Sequence, residues 1–193
     1  YRRRLCIWTR RRRNTRSASV SWARRWVEET DVPDLTSMAA SVGALLKNTG
    51  QSVAVSESAC GGLISATLVA VPGASAYYVG GGVVYTRVAQ KGLLSVPDQA
   101  MEGLRASSEP YAALNARTVR EALGTVWGLS ETGASGPTGN RYGDLAGHAC
   151  IAVNGPVDRV ITVETGVGDR EENMWTFAKA ALDLLEQCVK ESQ

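Results

Sequence analysis

The stretch "SESACGG" at residues 56–62 puts a carboxylate, two serine hydroxyls and a thiol on a turn that ends in two glycines. Residues 51–55 read as a short buried strand and the apolar run after Gly62 as a helix, so the turn lies where a strand passes into a helix. Gly61 and Gly62 let backbone N–H groups approach a ligand at that helix N-terminus, where the dipole favours an anion. Glu57, Ser58 and Cys60 would then stand beside the ligand with the groups that nucleophilic chemistry needs. By spacing alone the turn serves equally as plain structure, with Ser58 capping the helix. Two more loops bear on the same chemistry. "TGASGPTGN" (132–140) carries three glycines, a proline and small hydroxyls after a strand, which suits a backbone cradle for a phosphate or sugar and also an ordinary flexible loop. In "GDREE" Asp169 and Glu172 have capping-box spacing. That leaves Arg170 as a cation in a first helical turn, against the macrodipole. Such an arginine reaches an anionic ligand or an acidic partner, or is a solvated surface residue.

The elements that must position these loops alternate in type. Helices are predicted over 34–48 (Asp34 as cap, Gly50 past the end), 62–71, 88–94, 98–104, 109–123 and 169–189. Strands are predicted over 52–56, 82–86, 125–132, 147–153 and 158–164, the last two joined by "NGPV" as a hairpin. That order implies an α/β domain, a three-layer α/β/α sandwich on a mixed, mostly parallel five-stranded sheet. Ligands in such sheets bind at the carboxyl ends of parallel strands, where the loops after Ser56, Thr86 and Thr132 begin.

Charge divides the chain. Residues 1–26 hold 10 arginines and no acid; the other 11 basic residues face all 19 acids, so the remainder carries a net charge of −8. Residues 1–31 read as a disordered basic arm, a transit-like segment or a mis-called start, and 32–193 as the folded domain. The acidic body argues against nucleic acid as a partner, and no apolar run approaches the ~18 residues of a membrane span. Cys6, Cys60, Cys150 and Cys188 form no metal-like spacing, and His148 is the single histidine, so no metal is expected. Reduced thiols indicate an intracellular, cytoplasmic protein, or an organellar one if the arm is a transit peptide.

Taken in order, the motifs resemble a known family. From about Thr36 onward, some 155 of 193 residues are similar to the C-terminal domain of the CinA family, the nicotinamide mononucleotide (NMN) deamidases. The family pattern A-E-S-C-T-G-G, P-G-S-S, G-x-x-x-Y-S-N-E-A-K-x-x-L-L-G-V, V-S-E, T-G-I-A-G-P, G-D-R is met here by "SESACGG", "PGAS", "GVVYTRVAQKGLLSV", "SSE", "TGASGP" and "GDR". The resemblance implies an amidohydrolase that turns NMN into nicotinic acid mononucleotide and ammonia without a cofactor. It implies Ser58 as nucleophile, Tyr85 as the residue that helps activate it, and amides of the glycine turn as oxyanion donors. It implies a nucleotide site lined by Glu57, Cys60, Gly61, Gly62, Ser75, Thr132, Gly133 and Arg170, with Arg170 near the phosphate. It also implies a homo-oligomer.

The departures are chemical. The family lysine five residues after the tyrosine is Gln90, and Lys91, one place later, points about 100° away on a helix. The threonine of C-T-G-G is replaced by Cys60, and the Asn-Glu after the tyrosine by Arg87-Val88. His148 stands where the family has threonine and is a candidate substitute base, while Cys60 is a candidate substitute nucleophile. Without the lysine, slow deamidation that Gln90→Lys accelerates is expected; the alternative is a catalytically impaired pyridine-nucleotide-binding protein of the same fold.

Overall fold

The computed structural model describes residues 35–193. The basic arm and the Asp34 cap lie outside them. The first helix, α1 (Leu35–Thr49), ends against Gly50 at φ 63°, the left-handed turn that stops a helix without a Cβ penalty. Then follow β1 (Val53–Glu57), α2 (Leu63–Ala70), a 3-10 turn at Ala74–Ala76, β2 (Tyr78–Val83), α3 (Arg87–Leu94), a second 3-10 turn at Asp98–Met101, α4 (Glu109–Leu123), β3 (Trp127–Ala134), β4 (His148–Asn154), β5 (Arg159–Glu164) and α5 (Arg170–Glu191).

The sheet order is β2-β1-β3-β4-β5. β1 pairs in parallel with β2 and β3, and β4 runs antiparallel to both β3 and β5. Four strands therefore point one way, but only half of the pairings are parallel, because the β4–β5 hairpin inserts one reversed strand. Helices α1, α2 and α5 cover one face; α4, with α3 against it, covers the other. The larger core lies under α1, α2 and α5, where Val42, Leu46, Val53, Val55, Ile64, Trp127, Leu129, Ile151, Phe177 and Leu182 are fully buried. Burying each such side chain contributes roughly 1.5–3 kcal/mol.

Alternation along the strands decides what reaches the site. Val53 and Val55 on β1, and Trp127 and Leu129 on β3, point into the larger core. The same two-residue period carries Glu57 and Glu131 onto that face, beneath the start of α2. Ser130, one step out of phase, faces α4, where its hydroxyl donates to the Ala112 carbonyl at 2.9 Å.

One strand is displaced from its predicted place: β2 spans Tyr78–Val83, not 82–86. Its "GGG" carries no β-propensity, yet the glycines are dictated by close approach. A Cβ on Gly81 would stand 2.5 Å from the Val55 carbonyl oxygen of β1 and 2.8 Å from the Tyr78 hydroxyl.

Candidate active site

The loops singled out by sequence do converge. The carboxyl ends of β1, β2 and β3 and the start of α5 meet along one edge of the sheet. Two cavities open there. The larger, about 530 Å³, is lined by Ser58, Tyr85, Arg87, Arg105, Ser107, Tyr111, Thr132, Gly133, Asn140, Arg141 and Tyr142, among others. The smaller, about 210 Å³, is lined by Ala59, Gly133 to Gly136, Thr138 to Asn140, Tyr85 and Arg170. Tyr85, Gly133 and Asn140 belong to both. Gly133 is fixed by packing, since a Cβ there would lie 2.4 Å from the His148 carbonyl oxygen. A separate apolar cavity of about 500 Å³ between α4 and β4–β5 contains none of the motif residues.

The turn itself is held by two buried carboxyls. Glu57 accepts from the amides of Gly62 (3.0 Å), Ile64 (2.9 Å) and Ser65 (2.8 Å) and from the Ser65 hydroxyl. It thus satisfies the orphan donors at the start of α2, where the dipole favours its charge. Glu131 accepts from the amides of Ser58 (3.1 Å) and Cys60 (2.9 Å). Gly61 at φ 65° and Gly62 at φ 106° make the turn. Replacing Glu57 by glutamine should cost about 2–3 kcal/mol, because the new NH2 would face amides that can only donate. A urea titration with an unchanged m-value reads this as a lower midpoint.

These bonds correct several sequence expectations. Glu57 and Cys60 lie under the turn rather than in the cavity, on the core side of the alternation. Burial first, then the neighbouring Glu131 and Glu57, push the Cys60 thiol up, the wrong direction for a nucleophile. The amides of Ser58, Cys60, Gly61, Gly62, Leu63, Ile64 and Ser65 all have acceptors within the turn and its two carboxyls, so they are not spare oxyanion donors. Ala59 is the exception: among the described residues its amide has no acceptor, and it follows the candidate nucleophile directly. Ser75 sits in the 3-10 turn before β2, beside the start of β1, at the opposite end of the sheet from Ser58. The structure does not bring it to the site.

Arg170 does reach across. Its guanidinium donates to the Gly136 carbonyl at 2.7 Å and to the Tyr85 hydroxyl at 3.2 Å, while Asp169 caps α5 by accepting from the Glu172 amide at 3.0 Å. Asn173, fully buried one turn on, donates to the carbonyls of Ser135 (2.7 Å) and Val167 (2.8 Å). It pins the first turn of α5 to the 132–140 loop and so places Arg170.

His148 is not available as a base. One ring nitrogen meets the Glu164 carboxylate and the other donates to the Ser107 carbonyl at 3.0 Å. Burial works against its charge, but Glu164 and Ser107 outweigh that, and the imidazole holds its proton above the usual histidine range. Gln90 is fully buried, receiving from Arg87 at 2.6 Å and donating to Asn115 at 2.5 Å; it does not line the cavity. Lys91 pairs with Asp98 at 2.7 Å on the surface. The cation nearest the position of the family lysine is thus Arg87, one helical turn back.

Sequence reasoning missed Glu131 and the arginines at 105 and 141. Glu131 had a signal: a carboxylate within an otherwise uncharged central strand. Arg105, held bidentately by Asp144 and lying 5.5 Å from the centre of the Tyr142 ring, is placed by tertiary contacts alone. Among the described residues, no cluster of three or more His, Cys, Asp or Glu could hold a metal ion, and no helix is long and apolar enough to cross a membrane.

Comparison with known proteins accords with this geometry. The family model of the CinA C-terminal domain matches residues 35–189. A CinA-like protein of Parasynechococcus marenigrum is 40% identical over 134 residues, 69% of this chain and 32% of that protein. A CinA-like protein of Gloeobacter violaceus is 39% identical over 155 residues, 79% of this chain and 36% of that protein. The chain spans about a third of the length of these relatives. A competence-damaged protein (CinA) superfamily structure from Escherichia coli superposes with a TM-score of 0.74 at 26% identity, covering 82% of this chain and 92% of that one. The competence damage-inducible protein A (ComA) from Klebsiella pneumoniae shares the fold at a TM-score of 0.77 and 24% identity, covering 83% and 99%. By sequence and by fold, the chain belongs to the CinA family, and residues 35–189 are its CinA C-terminal domain.

Proposed function

We propose that the domain deamidates NMN, giving nicotinic acid mononucleotide and ammonia with Ser58 as nucleophile. The observation that carries this reading is the joint cavity in which Ser58, Tyr85, Thr132 and Gly133 face a space beside Arg170. Its volumes, about 530 and 210 Å³, suit one mononucleotide. Tyr85, an exposed tyrosine of the cavity wall, is the ring that can turn a face to a pyridinium cation, and Arg170 with the 133–139 backbone offers donors to a phosphate. Ser58 Oγ adds to the carboxamide carbon while the Tyr85 hydroxyl relays the proton, its oxygen taking the serine proton as its own O–H proton passes to the nitrogen that departs as ammonia. Water then cleaves the nicotinoyl ester and regenerates the serine. The Ala59 amide is the donor left for the developing oxyanion.

One observation favours the second reading, a nucleotide-binding protein with little turnover. Neither cavity wall contains a carboxylate, a histidine or a lysine, so the serine proton can only be relayed through hydroxyl groups there. Incubation with NMN separates the readings. Nicotinic acid mononucleotide appearing in step with ammonia supports the hydrolase; unchanged NMN that still binds supports the second; release of free nicotinamide contradicts both. Arg170→Ala should weaken NMN binding by about 1.5–3 kcal/mol, roughly 10- to 150-fold by calorimetry, if that charge meets the phosphate.

A further inference from the structure

Glu131 has no part in the chemistry above, yet it lies directly under the nucleophile. Its side chain is inaccessible to solvent, with one oxygen, Oε2, accepting from the amides of Ser58 and Cys60 and the other, Oε1, without any hydrogen-bond partner. The ionisable groups that act on it are Glu57 on β1 and Cys60 in the turn; on β4, Ile151 is its pairing partner. Glu57 receives four donors, whereas Glu131 receives two, both on the same oxygen. A carboxylate with a bare buried oxygen next to a second carboxyl is costly, and a proton on that oxygen removes the charge and with it the larger part of the cost. Burial above all lifts the Glu131 carboxyl to about 7.

We propose that Glu131 is the positioning residue of the serine turn: it holds the amides on either side of Ala59, so that the Ser58 hydroxyl and the Ala59 amide are presented together, and it loosens that turn when it gives up its proton. Ionised, the carboxyl has only the weak thiol donor of Cys60 beside it within the fold, and water reaches Oε1 only if residues 58–60 lift from β3. The neutral carboxyl keeps the turn closed. The proposal rests on Ser58 as the nucleophile, but the holding of the turn is measurable without turnover.

The test is amide hydrogen exchange of the full chain, resolved to the segment around 58–60 and corrected for the intrinsic pH dependence, in the parent and in Glu131→Gln. The glutamine keeps an acceptor for both amides and has nothing to ionise. Protection in the parent should fall on the order of fiftyfold between pH 5 and pH 8, and Glu131→Gln should be flat across that range. Equal slopes in the two proteins, or a flat parent, would overturn the proposal. Should the glutamine variant fail to fold, infrared titration of the parent decides: a protonated-carboxyl band that persists to near neutral pH supports it, and none above pH 5 contradicts it. Where NMN is turned over, kcat rather than KM should follow the same limb in the parent and lose it in Glu131→Gln; identical kcat profiles would count against the role. A failure of ammonia release leaves the exchange result standing, and a flat exchange profile leaves the deamidase reading standing.

Discussion

Lysine in place of Gln90 should destabilise the domain by about 3 kcal/mol and should not raise turnover, although the resemblance to lysine-bearing relatives suggests the opposite. Gln90 is fully buried between a donor and an acceptor: its oxygen takes an N–H of Arg87 at 2.6 Å, and its NH2 gives to Asn115 at 2.5 Å. A lysine ammonium can keep the second bond but removes the acceptor of the first and places a like charge against the guanidinium. Burying a charge without a partner costs several kcal/mol, or forces the amine to give up its proton. Arg87 cannot easily turn away, because it also donates to the Val96 carbonyl and to Asp98. The double variant Arg87→Asn/Gln90→Lys removes the opposing charge and should recover at least about half of the loss. Urea titrations of the two variants read both quantities. An unchanged midpoint in the single variant would mean that Arg87 swings out to solvent and that position 90 is not locked.

The fold was legible where the local pattern and tertiary context agree. α4 was predicted at 109–123, the span observed, because its apolar stripe, Pro110 near the start and Gly124 at the end point the same way. β2 was misplaced because its glycines answer to the neighbouring strand, a contact that no local pattern encodes. The site was legible as three loops on one sheet edge. Their internal division was not, since it depends on which face each residue takes. Glu57 and Cys60 fall on the core side and Ser58 and Thr132 on the cavity side, and a one-residue change of register would have exchanged them. Ser75 shows the limit of motif order: it is close to the others in the motif sequence and lies at the far end of the sheet. Arg170 is the converse: its place against the helix dipole leaves an anionic ligand, an acidic partner and solvent open, and the structure has it donate to the Gly136 carbonyl and the Tyr85 hydroxyl.

Ser58→Ala should lower kcat for NMN by at least about 10³-fold with little change in affinity. The nucleophile is the one group that makes a covalent bond to substrate, and in enzymes of this kind its removal leaves only what binding and the oxyanion donor contribute. Alanine fits the turn: the bonds that hold residues 58–60 run through backbone amides, and among the described residues the Ser58 hydroxyl has no hydrogen-bond partner whose loss would disturb the fold. The effect should therefore appear in kcat and leave KM and the melting temperature nearly unchanged. Retained turnover would move the chemistry off Ser58, and not onto Cys60, whose thiol is buried and hard to ionise.

The most direct measurement pairs ammonia release with calorimetric binding of NMN, on the parent and on Ser58→Ala side by side. The parent should release ammonia in equal amount with nicotinic acid mononucleotide, and the alanine variant should bind NMN as the parent does and release none. A parent that binds NMN and yields no ammonia, or a variant that yields as much as the parent, would contradict serine-dependent deamidation at this site.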